Sequence, residues 1–280
     1  MQRTRSFLVH SGFVVVIISL LGVSELVAED STPISPTNKP INLLADDLSG
    51  FYTWLQDTKY EDPREVFTID SGILRVSGDG WGGLTTKREY ANYHMLCEFK
   101  WGEQTWGARK DRARDSGLLV HCIGPDGGFG GMWMASIEAQ IIEGGVGDFL
   151  SLTTKHPVTL TAEITKDRNG EKVWKKGGEK VTLGSGRINW SGRDVDWADK
   201  LGFRGRDDVE SPSGEWTRYE VVCDGDKITN IVNGVVVNHC SEVKPTGGKI
   251  LLQTEGAEIF VRRWELWPLG TTPSEKKSAK

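Results

Sequence analysis

Two carboxylates and an amide stand close together at residues 136–145, which read SIEAQIIEGG. Apolar side chains alternate there with Glu138 and Gln140, the period-two pattern of a β-strand with one apolar and one polar face. Glu143 breaks the alternation, and a one-residue bulge near residues 141–142 would return it to the face of Glu138. An acid, an amide and an acid in a row are the groups that a two-carboxylate sugar-cleaving site needs. A solvated polar face at a sheet edge is the alternative.

Further candidate residues lie elsewhere along the chain. His121 ends a predicted strand, and a histidine could serve as a base because its unperturbed pKa lies near neutral pH. Strand alternation predicts that His121 shares a face with Asp115. A core-edge histidine that is hydrogen-bonded to the backbone is the alternative. Gln253 and Glu255 alternate on one side of a late predicted strand.

Composition narrows the class of ligand. The formal net charge is -5, and no basic cluster is interleaved with aromatic residues, so no nucleic acid partner is predicted. The chain contains 11 tryptophans, whose flat faces can stack on sugar rings, although many of them are expected in the core. The sequence therefore favours a carbohydrate partner.

The first residues predict an export signal. Arg3 and Arg5 give a basic start, residues 13–23 form a short apolar run, and Ala28 is a small residue suited to cleavage. The run is short for a membrane span. We therefore expect a signal peptide at residues 1–28, an exported periplasmic or extracellular protein, and no stable membrane span after cleavage. An uncleaved N-terminal anchor is the alternative.

The rest of the chain predicts one large domain. Residues 29–40 form a linker rich in Pro, Ser and Thr. Residues 41–269 fit a single all-β domain of many short strands separated by Gly-rich turns. Because antiparallel strands without intervening helices form sandwiches or barrels, we expect a jelly-roll sandwich of two antiparallel sheets.

Two stretches differ from this repeating pattern. Residues 153–210 are polar and predict a long insertion on one side of the sandwich, which adds a small hairpin of residues 163–166 with 172–175. The tail at residues 270–280 is polar and is expected to be disordered.

The four cysteines are predicted to be free and buried. Cys223 and Cys240 fall on the first and third strands of a predicted three-strand meander, about 10 Å apart, which is too far for a disulfide bond. Cys97 and Cys122 fall on strands that could be neighbours, so they are the better candidates for a bond in an oxidising compartment. No Cys or His spacing indicates zinc.

Seven segments occur in the order expected for one protein family: LLADDLSGFYTW (43–54), GLTTKREYANYHMLCEF (83–99), DSGLLVH (115–121), IEAQIIE (137–143), GEWTRYEVVCDG (214–225), VNG (232–234) and GKILLQTEGAEIFVRRWELWPL (248–269). Together they resemble the 3-keto-disaccharide hydrolase family, exported bacterial proteins with a concanavalin A-like jelly-roll fold. The resemblance covers nearly the whole chain after residue 28, and residues 153–210 are its most variable part. Asp115 and Thr217 each stand where the family usually has Asn.

The resemblance implies cleavage of a glycosidic bond in a sugar whose 3-hydroxyl is oxidised to a ketone. The ketone acidifies the proton on C2, so a base can remove it and the C1 substituent can leave, with water adding afterwards. Direct hydrolysis by two carboxylates is the other route. Glu138 and Glu143 are the expected acid/base pair, by analogy with the Glu-x-Asp-x-x-Glu strand of laminarinase-like glycosidases, and their repulsion should raise one pKa. The alternative is that one of them only accepts a substrate hydroxyl.

Substrate contact is assigned to seven further residues: Gln140, Asp115, Lys87, Trp133, Gln253, Glu255 and Arg262. Lys87 would donate a hydrogen bond to a hydroxyl or the ketone, and Trp133 would stack on the sugar. Arg262 could polarise the ketone or a developing enolate oxygen. A structural ion pair of Arg262 with Glu258 or Glu255 is the alternative.

No cofactor is predicted, although a divalent ion stays open if Asp115, Glu138 and Glu143 converge. The leading hypothesis is an exported glycoside-cleaving enzyme that acts on 3-keto-disaccharides or related modified glycosides through paired carboxylates. The second is a non-catalytic, lectin-like carbohydrate-binding module. A third is a structural envelope protein, if the N-terminal segment is retained. A converging acid pair would favour the enzyme.

Overall fold

The structure is a computed structural model that describes residues 32–44 and 47–274. The predicted signal peptide and residues 275–280 of the predicted disordered tail lie outside these ranges. Within them, no helix has the length and apolar character of a membrane span.

Eighteen β-strands and one 3₁₀ helix, Gly107–Arg109, are present among the described residues. In chain order the strands are β1 (Ile41–Asn42), β2 (Phe51–Leu55), β3 (Phe67–Asp70), β4 (Ile73–Val76), β5 (Trp81–Thr86), β6 (Tyr93–Thr105), β7 (Asp115–Ile123), β8 (Ala135–Ile142), β9 (Phe149–Leu152), β10 (Thr159–Lys166), β11 (Lys172–Trp174), β12 (Glu179–Leu183), β13 (Gly186–Ile188), β14 (Thr217–Asp224), β15 (Lys227–Val232), β16 (Val235–Lys244), β17 (Lys249–Glu255) and β18 (Ala257–Trp267).

The strands form two antiparallel sheets, which confirms the predicted jelly-roll sandwich. The eleven-stranded sheet runs β11-β10-β16-β15-β14-β6-β18-β4-β3, with β1 beside β18 and β12 beside β10. The seven-stranded sheet runs β13-β9-β8-β7-β17-β5-β2. Neighbours in a sheet are often distant in sequence, so the two sheets are built by long crossovers.

The main core lies between the two sheets and explains the alternation seen in the sequence. From the seven-stranded sheet, Ile137 and Leu252 point inward and are fully buried. Phe99 and Trp264 meet them from the eleven-stranded sheet and are fully buried as well. Each such side chain contributes about 1.5–3 kcal/mol when it leaves water. Because inward positions alternate with outward ones, this core fixes which residues face out.

Within the predicted insertion, residues 159–188 supply strands to both sheets, rather than lying on one side of the sandwich as expected. β10, β11 and β12 extend the eleven-stranded sheet, while β13 forms an edge of the seven-stranded sheet. The predicted hairpin is present, since Ile164 pairs with Trp174 and Lys166 with Lys172. A polar stretch can still form strands where only one of its faces is buried.

The segments that flank the domain contact it where they are described. Ile34, in the predicted linker, bonds through its backbone to Glu89 and Ala91. In the predicted disordered tail, the carbonyl of Pro273 accepts a hydrogen bond from Arg218 at 2.9 Å. The described parts of the linker and the tail are therefore bound to the sandwich.

All four cysteines are free and buried, as predicted. Cys97 and Cys122 are not on neighbouring strands, because β6 and β7 belong to different sheets. The predicted meander is present as β14, β15 and β16, with Cys223 and Cys240 on its outer strands.

Candidate active site

β8 presents Glu138 and Gln140 on the outward face of the seven-stranded sheet. Ile137, Ala139 and Ile141 alternate with them and lie in the main core. A strand in which every second residue is anchored this way holds the remaining side chains in fixed positions. The two polar residues are nevertheless almost fully buried, so neighbouring strands and loops cover them.

β7 and β17 add the other polar residues of this face. Gly117 lies beside Gln140 in the β7–β8 pairing. Continuing the register of β7 with β17 places Gln253 beside Gly117 and Glu255 beside Asp115. Five of the residues that the sequence selected, Asp115, Glu138, Gln140, Gln253 and Glu255, are therefore grouped on three adjacent strands.

Gly117 leaves the space into which two of these side chains lean. A Cβ atom at Gly117 would lie 2.5 Å from Oε1 of Glu138 and 2.6 Å from Oε1 of Gln253. Such distances are too short for any side chain to fit without displacing them. The glycine thus allows the carboxyl and the amide to converge above the sheet.

Asp115, Glu138 and Glu255 form a buried group of three carboxyls with one arginine in contact, which we call the acid cluster. Their relative exposures are 3%, 3% and 8%. Arg109 contacts Oδ2 of Asp115 and lies 2.7 Å from Oε1 of Glu255. It comes from the 3₁₀ helix in the connection between β6 and β7. The acid cluster therefore contains more carboxyls than contacting cations.

Burial and mutual repulsion raise the pKa values of the acid cluster. Burial, followed by the charge of Glu255, raises the pKa of Glu138 to about 8, although Arg187 and Gln253 oppose the shift. Burial and Glu255 also raise the pKa of Asp115 well above its usual range, against the effect of Arg109. The pKa of Glu255 is raised by burial and is lowered in part by Arg109. At neutral pH, Glu138 therefore holds a proton.

Two buried amides next to the acid cluster have unused hydrogen-bonding groups. Gln140 donates to Oδ1 of Asp115 at 2.7 Å, but its Oε1 has no partner. Gln253 lies against Glu138 and lowers its pKa, yet neither polar atom of its amide makes a hydrogen bond of good geometry with a described residue. A buried polar group without a partner costs about 1–3 kcal/mol. These unpaired groups are available to a ligand that carries hydroxyl groups.

A second set of charges borders the acid cluster. Asp148 is completely buried, accepts a hydrogen bond from Arg187 at 2.8 Å and contacts Arg193. It also accepts the backbone N–H of Trp190 at 2.8 Å. Because the charge of Arg187 lowers the pKa of Glu138 as well, this arginine links Asp148 to the acid cluster.

Aromatic residues border the acid cluster on the β5 side. Trp81 pairs with Glu255 across β5 and β17 and is half-buried. Trp133, which was predicted to stack on the sugar, is only 7% exposed and packs in a small second core with Phe129 and Leu251 beside it. Its ring N–H donates to the carbonyl of Gly82 at 2.8 Å. Trp81 is therefore the aromatic residue placed next to an acid of the cluster.

Glu143 is not brought to the face of Glu138, because the predicted bulge is absent. The pairing of β7 with β8 runs without a shift from Ile142 to Ile137, and Glu143 follows the end of β8. Its carboxylate is bound by Arg114 at 2.6 Å and by the backbone N–H of Gly202 at 2.8 Å. These contacts anchor the turn after β8 and leave Glu138 to pair with other acids.

His121 does not share a face with Asp115. A register shift between Val120 and Ile123, with a φ of 54° at His121, interrupts the alternation of β7. The ring is fully buried, and its Nδ1 lies 2.9 Å from the carbonyl of Pro245. Burial lowers its pKa to about 4. The alternative of a backbone-bonded core-edge histidine therefore describes its surroundings.

Two predicted substrate contacts lie away from the acid cluster. Arg262 is on β18 of the eleven-stranded sheet and pairs with Glu98 at 2.7 Å, rather than with Glu258 or Glu255. Lys87 is exposed and follows the end of β5. It stands six residues beyond Trp81, about 20 Å at the usual strand rise.

Sequence reasoning missed Arg109, Arg187 and Trp81. Arg109 had a visible signal, since WGARKDRAR at residues 106–114 is a basic stretch just before Asp115. Arg187 and Trp81 had none, because only the pairing of distant strands brings them near the acids. Among the described residues, no group of three His, Cys, Asp or Glu side chains is arranged to hold a metal ion.

Comparison with known proteins gives one family match. The family described as 3-keto-alpha-glucoside-1,2-lyase-like domain matches residues 39–266. No curated protein sequence matches the chain.

Solved structures with a similar fold are distant in sequence. A protein of Parabacteroides distasonis ATCC 8503, named provisionally as a glycosyl hydrolase, is 19% identical, with 83% of this chain and 100% of that chain covered and a TM-score of 0.47. Carbohydrate binding module CBM66 from Bacillus subtilis is 8% identical, with 77% and 94% covered and a TM-score of 0.43. A Bacillus licheniformis beta-glucanase is 11% identical, with 84% and 94% covered and a TM-score of 0.38. At these values the likenesses carry no argument about activity.

Proposed function

This chain belongs to the 3-keto-alpha-glucoside-1,2-lyase-like domain family, and we propose that it cleaves the glycosidic bond of 3-keto-glucosides at the acid cluster. The observation that carries the proposal is the convergence of Asp115, Glu138 and Glu255 with only one contacting arginine. That arrangement leaves Glu138 protonated near neutral pH, with a pKa of about 8. A group that is protonated there can give its proton to a leaving oxygen.

The chemistry is an elimination followed by addition of water. A base takes the proton from C2, which the neighbouring ketone acidifies, and the electron pair forms a C1–C2 double bond as the C1–O bond breaks. The leaving oxygen receives a proton from an acid. Water then adds across the double bond, its hydroxyl to C1 and its proton to C2, and releases the free keto-sugar.

In this proposal Glu138 is the acid. Burial and repulsion from Glu255 keep Glu138 protonated at neutral pH, so a proton is available for the oxygen that becomes negative as the C1–O bond breaks. Glu138 also lies above Gly117, which has no side chain to fill the space where Glu138 and Gln253 converge. Once it has given up the proton, the same carboxylate can activate the incoming water.

Glu255 is the proposed base. Asp115 and Glu255 lie close enough to share a proton, and burial raises the pKa of Asp115 well above its usual range. Asp115 is then the partner that keeps the proton. Glu255 remains the ionised partner beside Arg109, which lies 2.7 Å away. The free Oε1 of Gln140 would accept a hydrogen bond from a ring hydroxyl, and the free amide of Gln253 would hold a second hydroxyl or donate to the ketone.

The proposal is tested by product release from glucosides and from the matching 3-keto-glucosides. We expect wild type to cleave only the keto-sugars, because only they have an acidic C2 proton. Glu138→Gln keeps the shape of the side chain but has no proton to donate, so kcat should fall about 10²–10⁴-fold.

Glu258→Gln is the matched control. Glu258 is also a buried glutamate on a strand, but it pairs with Arg75 on the eleven-stranded sheet at 2.8 Å. This variant should keep the wild-type kcat. If the folded wild type binds sugars without cleaving any keto-glucoside, the carbohydrate-binding module replaces the enzyme as the function.

We also propose that the protein is exported, from the basic start, apolar run and Ala28 of its first residues. Expression of the full chain in a Gram-negative host, followed by fractionation and N-terminal sequencing, tests this. A periplasmic or secreted product that begins at Glu29 is expected, and a full-length protein retained in the cytoplasm would contradict it.

A further inference from the structure

A cavity of about 330 Å³ opens beside Arg187. Its walls come from the β10–β11 turn, β13 and residues 189–197. The volume falls in the range of small-molecule sites, about 300–1,000 Å³. We infer that this cavity binds the sugar that leaves when the glycosidic bond is cleaved, and that it selects a neutral sugar. The inference rests on the proposed function, which it extends to the second half of the substrate.

The cavity lies at a distance that suits the second ring of a disaccharide. Arg187 pairs with Leu150 on β9, which in turn pairs with Glu138 on β8. Two strand spacings amount to about 10 Å between the backbones. The positive charge of Arg187 lowers the pKa of Glu138, and Arg187 also lines the cavity. Arg187 therefore lies close to both the acid cluster and the cavity. A keto-ring at the acid cluster would therefore extend its leaving group toward the cavity.

The lining of the cavity suits a ligand with several hydroxyl groups. Asn189 is 7% exposed and lines the cavity, and its side-chain amide makes no hydrogen bond with another described residue. Asp194 accepts two backbone N–H groups, at 2.9 and 3.1 Å, and its carboxylate still has free acceptor capacity. The indole ring of Trp197 also lines the cavity, and the guanidinium carbon of Arg193 lies 4.4 Å from the centre of that ring. Unused donors and acceptors beside an aromatic ring are what a sugar requires.

The charges of the lining favour a neutral ligand. Asp167, Glu171 and Asp194 line the cavity together with two arginines, Arg187 and Arg193. Both arginines already bind the buried carboxylate of Asp148. The acids thus outnumber the cations, so a carboxylate, sulfate or phosphate on the leaving sugar would be repelled.

Two substrates with the same keto-ring but different leaving groups distinguish the contribution of the cavity from that of the acid cluster. One is a 3-keto-glucosyl-glucose disaccharide, and the other is methyl 3-keto-glucoside, whose leaving group cannot reach the cavity. We expect Asn189→Ala to lower kcat/KM for the disaccharide about tenfold, as expected for one lost hydrogen bond, and to leave the methyl glycoside unchanged. Asn169→Ala, on the exposed rim of the cavity, should also lower kcat/KM for the disaccharide. Because Asn169 is exposed, this second variant tests the cavity even if Asn189→Ala fails to fold.

The outcomes are distinguishable from failure of the proposed function. Equal losses on both substrates, or no loss on either, would overturn the cavity as the leaving-group site. If wild type cleaves neither substrate, calorimetric titration with the unoxidised disaccharide measures whether the cavity binds a sugar independently of cleavage. Binding that Asn189→Ala abolishes would support the cavity, whereas absent or unchanged binding would overturn it.

The charge preference has its own measurement. A 3-keto-glucosyl glucuronide should be a poorer substrate than the neutral disaccharide, and Asp194→Asn should reduce the difference because it removes one repelling charge. A glucuronide cleaved as well as the neutral sugar would overturn the selectivity.

Discussion

The outward faces of the two sheets carry buried acids in different surroundings. On the eleven-stranded sheet each acid has basic partners: Glu98 lies 3.2 Å from Arg263, and Glu220 lies 2.6 Å from His94 and 2.8 Å from Arg218. Burial alone would raise the pKa of Glu220, yet the hydrogen bonds from His94 and Arg218 lower it to about 2. Glu220 is therefore ionised at neutral pH, and the ion pairs of this face hold strands together.

On the seven-stranded sheet the cations are fewer than the acids. Asp115 and Glu255 share contact with Arg109, and no arginine of the described part of the chain forms an ion pair with Glu138. Burial and repulsion then prevail, and the pKa of Glu138 rises to about 8. The comparison shows that the ratio of cations to buried carboxyls, rather than the type of acid or its strand, decides whether a glutamate stabilises an ion pair or stores a proton.

Removing one arginine from each face should give the largest contrast between an effect on activity and an effect on stability. Arg109→Gln leaves Asp115 and Glu255 without their cation, so Glu255 becomes protonated as well as Asp115 and the proposed base is lost. We expect kcat to fall about 10²–10³-fold in steady-state assays with a 3-keto-glucoside. Arg263→Gln should instead lower the free energy of unfolding by about 3–5 kcal/mol and leave kcat unchanged. Equal loss of activity in both variants would contradict the division between the faces.

A glycine beneath a glutamate occurs on both faces and gives a second contrast. A Cβ at Gly102 on β6 would lie 2.5 Å from Cγ of Glu258, as one at Gly117 would lie 2.5 Å from Oε1 of Glu138. Gly117→Ala should displace the proposed acid and lower kcat about tenfold to a hundredfold. Gly102→Ala should cost about 1–3 kcal/mol of stability through overpacking, with normal kcat. Chemical denaturation and kinetics of both variants check this, and unchanged kcat in Gly117→Ala would argue against Glu138.

The pH dependence of stability sharpens the comparison further. The pKa of Glu138 is higher in the folded state than in the unfolded chain, so the folded state binds more protons and stability falls as pH rises from about 4.5 to about 8. Glu138→Gln has no such proton. Relative to wild type it should gain on the order of 3–4 kcal/mol between pH 5 and pH 8. Urea unfolding at both pH values measures this, and a parallel change in both proteins would refute the raised pKa.

The smallest effect is expected from the opposite face at low pH. The pKa of Glu220 is lower in the folded state than in the unfolded chain, so its stabilisation is present above about pH 4.5 and is lost as pH falls toward about 2. The stability difference between wild type and Glu220→Gln should therefore shrink between pH 5 and pH 2.5 in thermal melts. A difference that stays constant would show that Glu220 acts by packing alone.

The fold and part of the acid cluster could be predicted because they follow from alternation. Every second residue of β8 lies in the core, which assigns Glu138 and Gln140 to the outward face. The same rule assigns Gln253 and Glu255 to one side of β17. Alternation within a strand is a local property, so a single sequence shows it.

The features of the fold and the acid cluster that the sequence did not predict depend on breaks in alternation and on contacts between distant segments. The bulge expected before Glu143 is absent, while an unexpected one at His121 turns that ring away from Asp115. Which sheet holds β18, and so where Arg262 points, is decided by strand order and not by the sequence of β18 itself. Arg109 reaches the acids from a connection between the sheets, which no periodic pattern marks.

The lack of a side chain at Gly117 limits how this protein can diverge. Any mutation there adds atoms where Glu138 and Gln253 meet. A new substrate range would therefore have to arise at the borders of the face, from Trp81 on one side or the segment around Asn189 on the other. The centre of this face is therefore expected to stay constant, while the proposed recognition of sugars changes at its borders.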